Sequence, residues 1–229
     1  MLTETLLGIA VGIGLSAACG FRVFVPLLVM NLASLTGHLH LSPGFEWIGS
    51  EYTTIAFGIA TVVEVLCYYI PWLDHFLDLI ASPTAIIAGT IATASMVMEL
   101  SPFLKWTLAI IAGGGAAALI QGATVALRTK SSALTGGLGN PFISTAEAIG
   151  SMITSLLAII VPILCLFLLA LLCILVIRKA GHFFFGRTKK NPPVAKKTIS
   201  KPGGGAGKAL QRHLWKLATY VFRQNRDFT

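Results

Sequence analysis

The chain has 229 residues, 55% of them hydrophobic and only 11% charged, with a mean hydropathy of +0.81. That composition excludes an ordinary soluble domain and a disordered chain, and points to an all-α polytopic membrane protein. The net charge of +8 is unevenly placed: residues 1–177 carry four basic and eight acidic side chains, whereas residues 178–229 carry thirteen basic ones against Asp227 alone.

The first apolar run, Leu6 to Ala33, is of membrane length and holds Arg22 near its middle. Gly12, Gly14, Gly20 and Pro26 interrupt it, so an unwound or kinked helix is expected around Gly20 to Pro26. A charge in such a place faces a partner, a cavity or a ligand rather than lipid. Leu15 to Cys19 faintly resembles a lipoprotein cleavage site. Glu4 and the lack of any Lys or Arg before it argue against a secretory signal, so this span is expected to be retained.

Residues 34–51 contain no Lys or Arg, which suits the outer face of a membrane. His38 and His40 there read as loop residues rather than metal ligands. A second span, about 52–69, carries Glu64. Pro71 to Ile80 reads as a short amphipathic piece at the interface. Leu73, Phe76, Leu77 and Ile80 share one of its faces, with Asp74 and Asp78 one turn apart on another. Asp74, His75 and Asp78 form a candidate interfacial cation site there, weighed against a plain solvated face.

A third span is expected from Pro83 to near Leu100 and a fourth from Phe103 to Leu127. Gly113 to Gly115 would let helices approach closely, and Gln121 and Thr124 are polar positions facing the interior. Residues 128–141 read as a loop, basic at first and then Gly-rich, in which Asn140-Pro141 is a candidate cap for the next helix, weighed against an ordinary turn. Residues 142–178 would reach ~55 Å as one helix, too long for a single crossing, and Pro162 divides them.

Five or six passes with broken helices follow. Six suit the loop charges if residues 1–33 leave the cytoplasm, so that 34–51 lie outside and the basic C-terminus returns to the cytoplasmic side. The Gly/Ala spacing of residues 6–22 echoes that of 107–123, and Thr61 to Glu64 echoes Ser144 to Glu147. Residues 1–100 and 103–178 are therefore candidate inverted repeats of three helices within a transmembrane domain, 1–180.

Residues 181–207 read as a basic Pro/Gly-rich linker and 208–229 as a basic amphipathic helix on the cytoplasmic side. Lys208, Arg212, Trp215, Lys216 and Arg223 would meet anionic lipid head groups there, and no nucleic acid is expected as a partner.

All four cysteines, Cys19, Cys67, Cys165 and Cys173, lie in apolar runs, which argues against a disulfide or metal framework. No Ser/His/Asp set, phosphate loop or zinc-protease motif occurs, so neither an enzyme nor a bound cofactor is expected. The intramembrane charges Arg22, Glu64 and Glu147 carry the functional expectation. With Asn140, Gln121 and Thr124 they would line a polar site near mid-membrane. The leading reading is a small transporter or channel for an ion or small polar solute. Arg22 would hold an anionic group or a glutamate, and the glutamates would handle a proton or cation. The alternative is a non-transporting scaffold or lipid-binding protein whose tail binds anionic lipid or a partner. A homo-oligomer is compatible with either.

Three segments, taken together, carry a family likeness: Gly20-Phe-Arg22-Val-Phe-Val-Pro26, Ile70-Pro-Trp-Leu-Asp74-His-Phe-Leu-Asp78, and Thr135-Gly-Gly-Leu-Gly-Asn140-Pro-Phe-Ile-Ser144 with Glu147. Their order and spacing resemble a family of small bacterial integral membrane proteins known as a domain of unknown function, family 4126, over about residues 5–160. The resemblance implies a multi-pass protein of the bacterial inner membrane and assigns no activity. Ser82-Pro83 stands where the family pattern has Arg-Pro, and Glu147-Ala148 where it has an acidic pair.

Overall fold

The fold is that of a computed structural model. It describes residues 2–185 and Leu214, with side chains for residues 3–70 and 76–178. The chain divides into two compact units, Met1–Phe184 and Phe185–Thr229. The expected lipid-facing residues Lys208, Arg212, Trp215, Lys216 and Arg223 fall in the second unit, outside the described residues.

The described residues form helices and no strand. They are α1 (Leu2–Phe21), α2 (Phe24–Leu35), α3 (Glu51–Cys67), α4 (Pro71–Met96), α5 (Pro102–Leu108), α6 (Gly115–Thr135), α7 (Asn140–Ile160) and α8 (Pro162–Phe185). A π-helical turn, Ala109–Gly114, joins α5 to α6 in one rod, and a 3-10 turn, Glu46–Gly49, precedes α3. Among the described residues four stretches are long and apolar enough to cross a membrane: Thr3–Phe21, Phe76–Met96, Pro102–Thr135 and Asn140–Ile160. Phe24–Leu35 and Pro162–Arg178 are shorter apolar helices.

Prolines at the starts of α4, α5, α7 and α8 place a residue that lacks an N–H where the helix has no use for one. Ser50 caps α3 by accepting from the Thr53 N–H at 3.3 Å. Gly136, at φ +62, ends α6 in the left-handed region that favours glycine.

Helix α1 is the centre of the bundle, packed between α4, α6 and α7. Its small residues permit the close approach. A Cβ on Gly20 would lie 2.6 Å from the Ala117 carbonyl oxygen, and one on Gly12 2.9 Å from Thr93 Cα. Ser16 Oγ donates to the Gly89 carbonyl and lies 2.7 Å from Thr93 Oγ1, and Ser151 Oγ donates to the Ala18 carbonyl at 3.0 Å. Such hydroxyl bonds and close backbone contacts hold helices together where lipid is as apolar as leucine.

These contacts also fix the course of the chain. Gly8 meets Met96, Gly12 meets Thr93 and Ser16 meets Gly89, so α1 runs antiparallel to α4. Thr5 Oγ1 donates to Glu99 at 3.1 Å, and Glu4, Thr5 and Gly8 share a cavity with Leu39 and His40. The start of α1 and the loop after α2 therefore lie at the same end of the bundle. Residues 2–35 form a helical hairpin turning at Arg22–Val23, rather than the single broken pass expected for 1–33. The break falls where the glycines and Pro26 placed it, but it reverses the chain instead of kinking it. Helices α1 and α6, the stretches whose small residues echo each other, run side by side in the same direction: Gly89 lies against both Ser16 and Gly113, and Gly20 against Ala117 and Gln121.

Two further expectations are corrected. Residues 71–80 are not a separate interfacial piece, because α4 runs unbroken through Pro83 to Met96. Ser82 and Thr84 hydroxyls donate back to the Asp78 and Ile80 carbonyls, each at 2.7 Å, on either side of the Leu79 carbonyl whose amide partner Pro83 removes. Residues 128–135 are likewise not loop but the last two turns of α6. In addition, α8 reaches Phe185, five residues into the expected linker.

Candidate functional site

Polar residues recur at helical spacing on the inner faces of two helices. Gln121, Thr124 and Arg128 are all buried on α6, and Asn140, Ser144, Glu147, Ser151 and Ser155 are all buried on α7. Offsets of three and four residues keep each set on one face, and both faces turn toward α1. Arg22 at the hairpin turn, Glu64 and Tyr68 at the end of α3, and Asp78 on α4 complete the cluster.

Arg128 is the hub. It is 2% exposed; its Nε donates to Glu147 Oε1 at 3.1 Å and its Nη2 donates to Glu147 Oε2. Its Nη1 donates to Asp78 Oδ1, which also accepts from the Tyr68 hydroxyl at 3.3 Å. Planar guanidinium geometry lets one side chain clamp two carboxylates in this way.

Arg22 is held differently. It is 1% exposed, and its Nη2 donates to the Ser144 carbonyl at 3.1 Å and to Ser144 Oγ, and lies 3.4 Å from Glu147 Oε2. Its guanidinium carbon lies 3.8 Å from the Tyr68 ring centroid, and that of Arg128 lies 4.2 Å from the same ring. Arg22 Nε and Nη1 and Gln121 Nε2 are buried and make no hydrogen bond among the described residues. In a protein interior such donors are normally satisfied.

Glu64 is the one buried residue of α3, and Arg22 is not its hydrogen-bond partner. Its Oε1 accepts from the Val23 N–H at 2.8 Å and its Oε2 from the Phe24 N–H at 3.0 Å. The carboxylate thus caps the exposed amides at the start of α2, where the helix dipole favours negative charge. Arg22 finds its ion-pair partner in Glu147 instead.

Sequence reasoning placed Arg22, Glu64, Glu147, Gln121 and Thr124 inside, and the structure buries all five. Asn140 is also buried, as the first residue of α7, with its Nδ2 donating to Ser132 Oγ at 2.8 Å. Asp78, expected on an interfacial face with Asp74 and His75, is instead buried against Arg128. The side chains of Asp74 and His75 lie outside the described residues. Among the described residues no group of three His, Cys, Asp or Glu could hold a metal ion.

Arg128 and Tyr68 were missed. The signal for Arg128 was its position seven residues after Gln121, which continues that helix face. The depth differs from expectation too. Asp78 is seven residues from Pro71, Arg128 seven from Thr135 and Glu147 seven from Asn140, so the cluster lies ~10 Å from one end of the helices rather than at their middle.

A cavity of about 340 Å³ adjoins the cluster between α3 and α4. Val23, Phe24, Glu64 and Tyr68 contribute to its lining, and Ala60, Val63, Leu77 and Ile80 are among its apolar walls.

Residues 9–181 match the family model of a domain of unknown function, DUF4126. The chain belongs to that family. The match contains every residue of the buried cluster and ends just inside the basic C-terminal region. Neither the curated proteins nor the solved structures contain a match to the chain.

Proposed function

We propose that the protein is a small membrane transporter or channel for a small polar solute or ion, with Arg22 as its contact point. The carrying observation is the imbalance of donors around Arg22: two of its guanidinium nitrogens and the Gln121 amide nitrogen are buried without an acceptor among the described residues. A group rich in acceptors, and above all an anion, would meet that need. The broken helix at Arg22–Val23 supports the reading, since breaks in membrane helices are where transporters bind charged solutes.

The Arg128 half of the cluster is neutralised by Asp78 and Glu147, and we assign it a structural role. The two halves can be separated experimentally. Arg22→Lys keeps the positive charge opposite Glu147 and removes the guanidinium fork. Expected is a folded protein that has lost solute-dependent thermal stabilisation and, in liposomes, solute flux. If Arg22→Lys transports like the wild type, or if the wild type moves no solute in a broad flux screen, the proposal falls. A scaffold would instead lose function on deletion of residues 187–229.

A further inference from the structure

The buried cluster carries more negative than positive charge, although its unmet polar atoms include three donors. Among the described residues Arg22 and Arg128 stand against Glu147, Asp78 and Glu64, and all five are buried. Arg22 Nε and Nη1 and Gln121 Nε2 nonetheless lack acceptors. An anion arriving alone would raise the excess from one negative charge to two, where water screens it least. An anion that arrives with a proton leaves the sum unchanged.

One carboxylate suits that proton. Asp78 accepts from Arg128, and Glu147 accepts from Arg128 with Arg22 3.4 Å away, so protonating either forfeits a charge-assisted hydrogen bond. Glu64 grips no arginine. It accepts only from the Val23 and Phe24 amides, and as a neutral acid it would keep a carbonyl oxygen for one of them. Around it stand Cys19 of α1, Arg22 at the turn, Cys67 and Tyr68 of its own segment, Asp78 of α4, Arg128 of α6 and Glu147 of α7. The size of the solute follows from packing. Arg22 and Gln121 line none of the described cavities, and Gly20 packs directly on Ala117 and Gln121. Whatever meets their donors is small.

We propose that the solute is a small monovalent anion held by Arg22 and Gln121, and that it binds together with one proton from solution, taken up by Glu64. The inference rests on Arg22 as the contact point of the transport reading. A divalent anion would need a second carboxylate to give up its charge, and the other two are held by arginine.

The full chain, purified in a neutral detergent, is titrated with sodium nitrate, sodium chloride and sodium sulfate while thermal unfolding is followed. Sodium gluconate holds the ionic strength constant, and the series runs from about pH 5.5 to about pH 8.5. At least one of nitrate and chloride should raise the Tm saturably. Its half-effect concentration should fall by up to about tenfold per pH unit as the pH is lowered, because the bound state carries one more proton. Sulfate should act at least about tenfold more weakly. In Glu64→Gln, which is neutral at every pH, the half-effect should match the wild-type value at low pH and stay level across the series. In weakly buffered solution the wild type should take up about one proton per anion bound.

Should Glu64→Gln not fold, infrared difference spectra of the wild type with and without the anion take its place. The carboxylic acid band that the anion induces should shift in protein made with isotope-labelled glutamate, and a band that stays put would sink the assignment. A half-effect that ignores pH, a pH slope that survives in Glu64→Gln, sulfate acting as strongly as nitrate, or no response to either monovalent anion would each overturn the inference. A pH-independent response that Arg22→Lys abolishes would remove the proton and leave Arg22 as the contact point. A pH-dependent response that survives Arg22→Lys would remove Arg22 instead.

Discussion

Arg128→Met is the most severe single test of the buried cluster. The substitution keeps a shorter, unbranched apolar stem and removes at least three charge-assisted hydrogen bonds, two to Glu147 and one to Asp78. At about 1.5–3 kcal/mol each, their gross worth is about 5–9 kcal/mol. Part of that returns, because in the denatured state within a micelle these groups find other partners. Removing one member of a buried ionic group costs about 3–5 kcal/mol, and that is the expected loss.

Adding Asp78→Asn should restore a large part of the lost stability. The double variant leaves Glu147 to Arg22, 3.4 Å away, and removes the Asp78 carboxylate that would otherwise lack its countercharge. The assay is equilibrium unfolding in neutral detergent titrated with dodecyl sulfate, followed by tryptophan fluorescence. A single variant within about 1 kcal/mol of wild type, with no recovery in the double variant, would refute the assignment of Arg128 as the structural hub.

Two other predictions bear on the fold. Cysteines introduced at Thr5 and His40 should label from the same side of oriented vesicles, and one at Ser132 from the other, because the start of α1 and the loop after α2 share an end of the bundle. Labelling of Thr5→Cys and His40→Cys from opposite sides would break the hairpin of residues 2–35. Gly20→Ala should lower stability by about 1–3 kcal/mol, since the new methyl would meet the Ala117 carbonyl and Ile120 Cβ at 2.6 Å. An unchanged thermal midpoint would mean that α1 and α6 are not so close.

The pattern of apolar runs and their punctuation settled a good deal. Residue types alone placed a break between Gly20 and Pro26, where it falls at Arg22–Val23, and the division at Pro162, because glycine and proline act on their own backbone. They also marked Arg22, Glu64 and Glu147 as interior, since an ionised group within an apolar run is costly unless the protein encloses it. Pro83 misled for the same local reason. Reading it as a helix start overlooked that a helix in apolar surroundings can absorb one missing amide bond, and α4 continues on both sides of Pro83.

What the sequence determined by itself was the set of long apolar helices, the breaks near Arg22 and at Pro162, and the burial of Arg22, Glu64 and Glu147, because each follows from transfer free energies and backbone geometry that act residue by residue. Tertiary structure alone decided who meets whom. Charge attraction acts through space and has no fixed sequence offset, so nothing local could say that Glu147 would take both arginines, that Asp78 would turn inward to Arg128, or that Glu64 would cap α2 across forty residues of chain. The reversal at Arg22 has the same origin. Whether a broken helix bends or doubles back depends on what packs against it, and here close contacts with α4, α6 and α7 hold α1 in place.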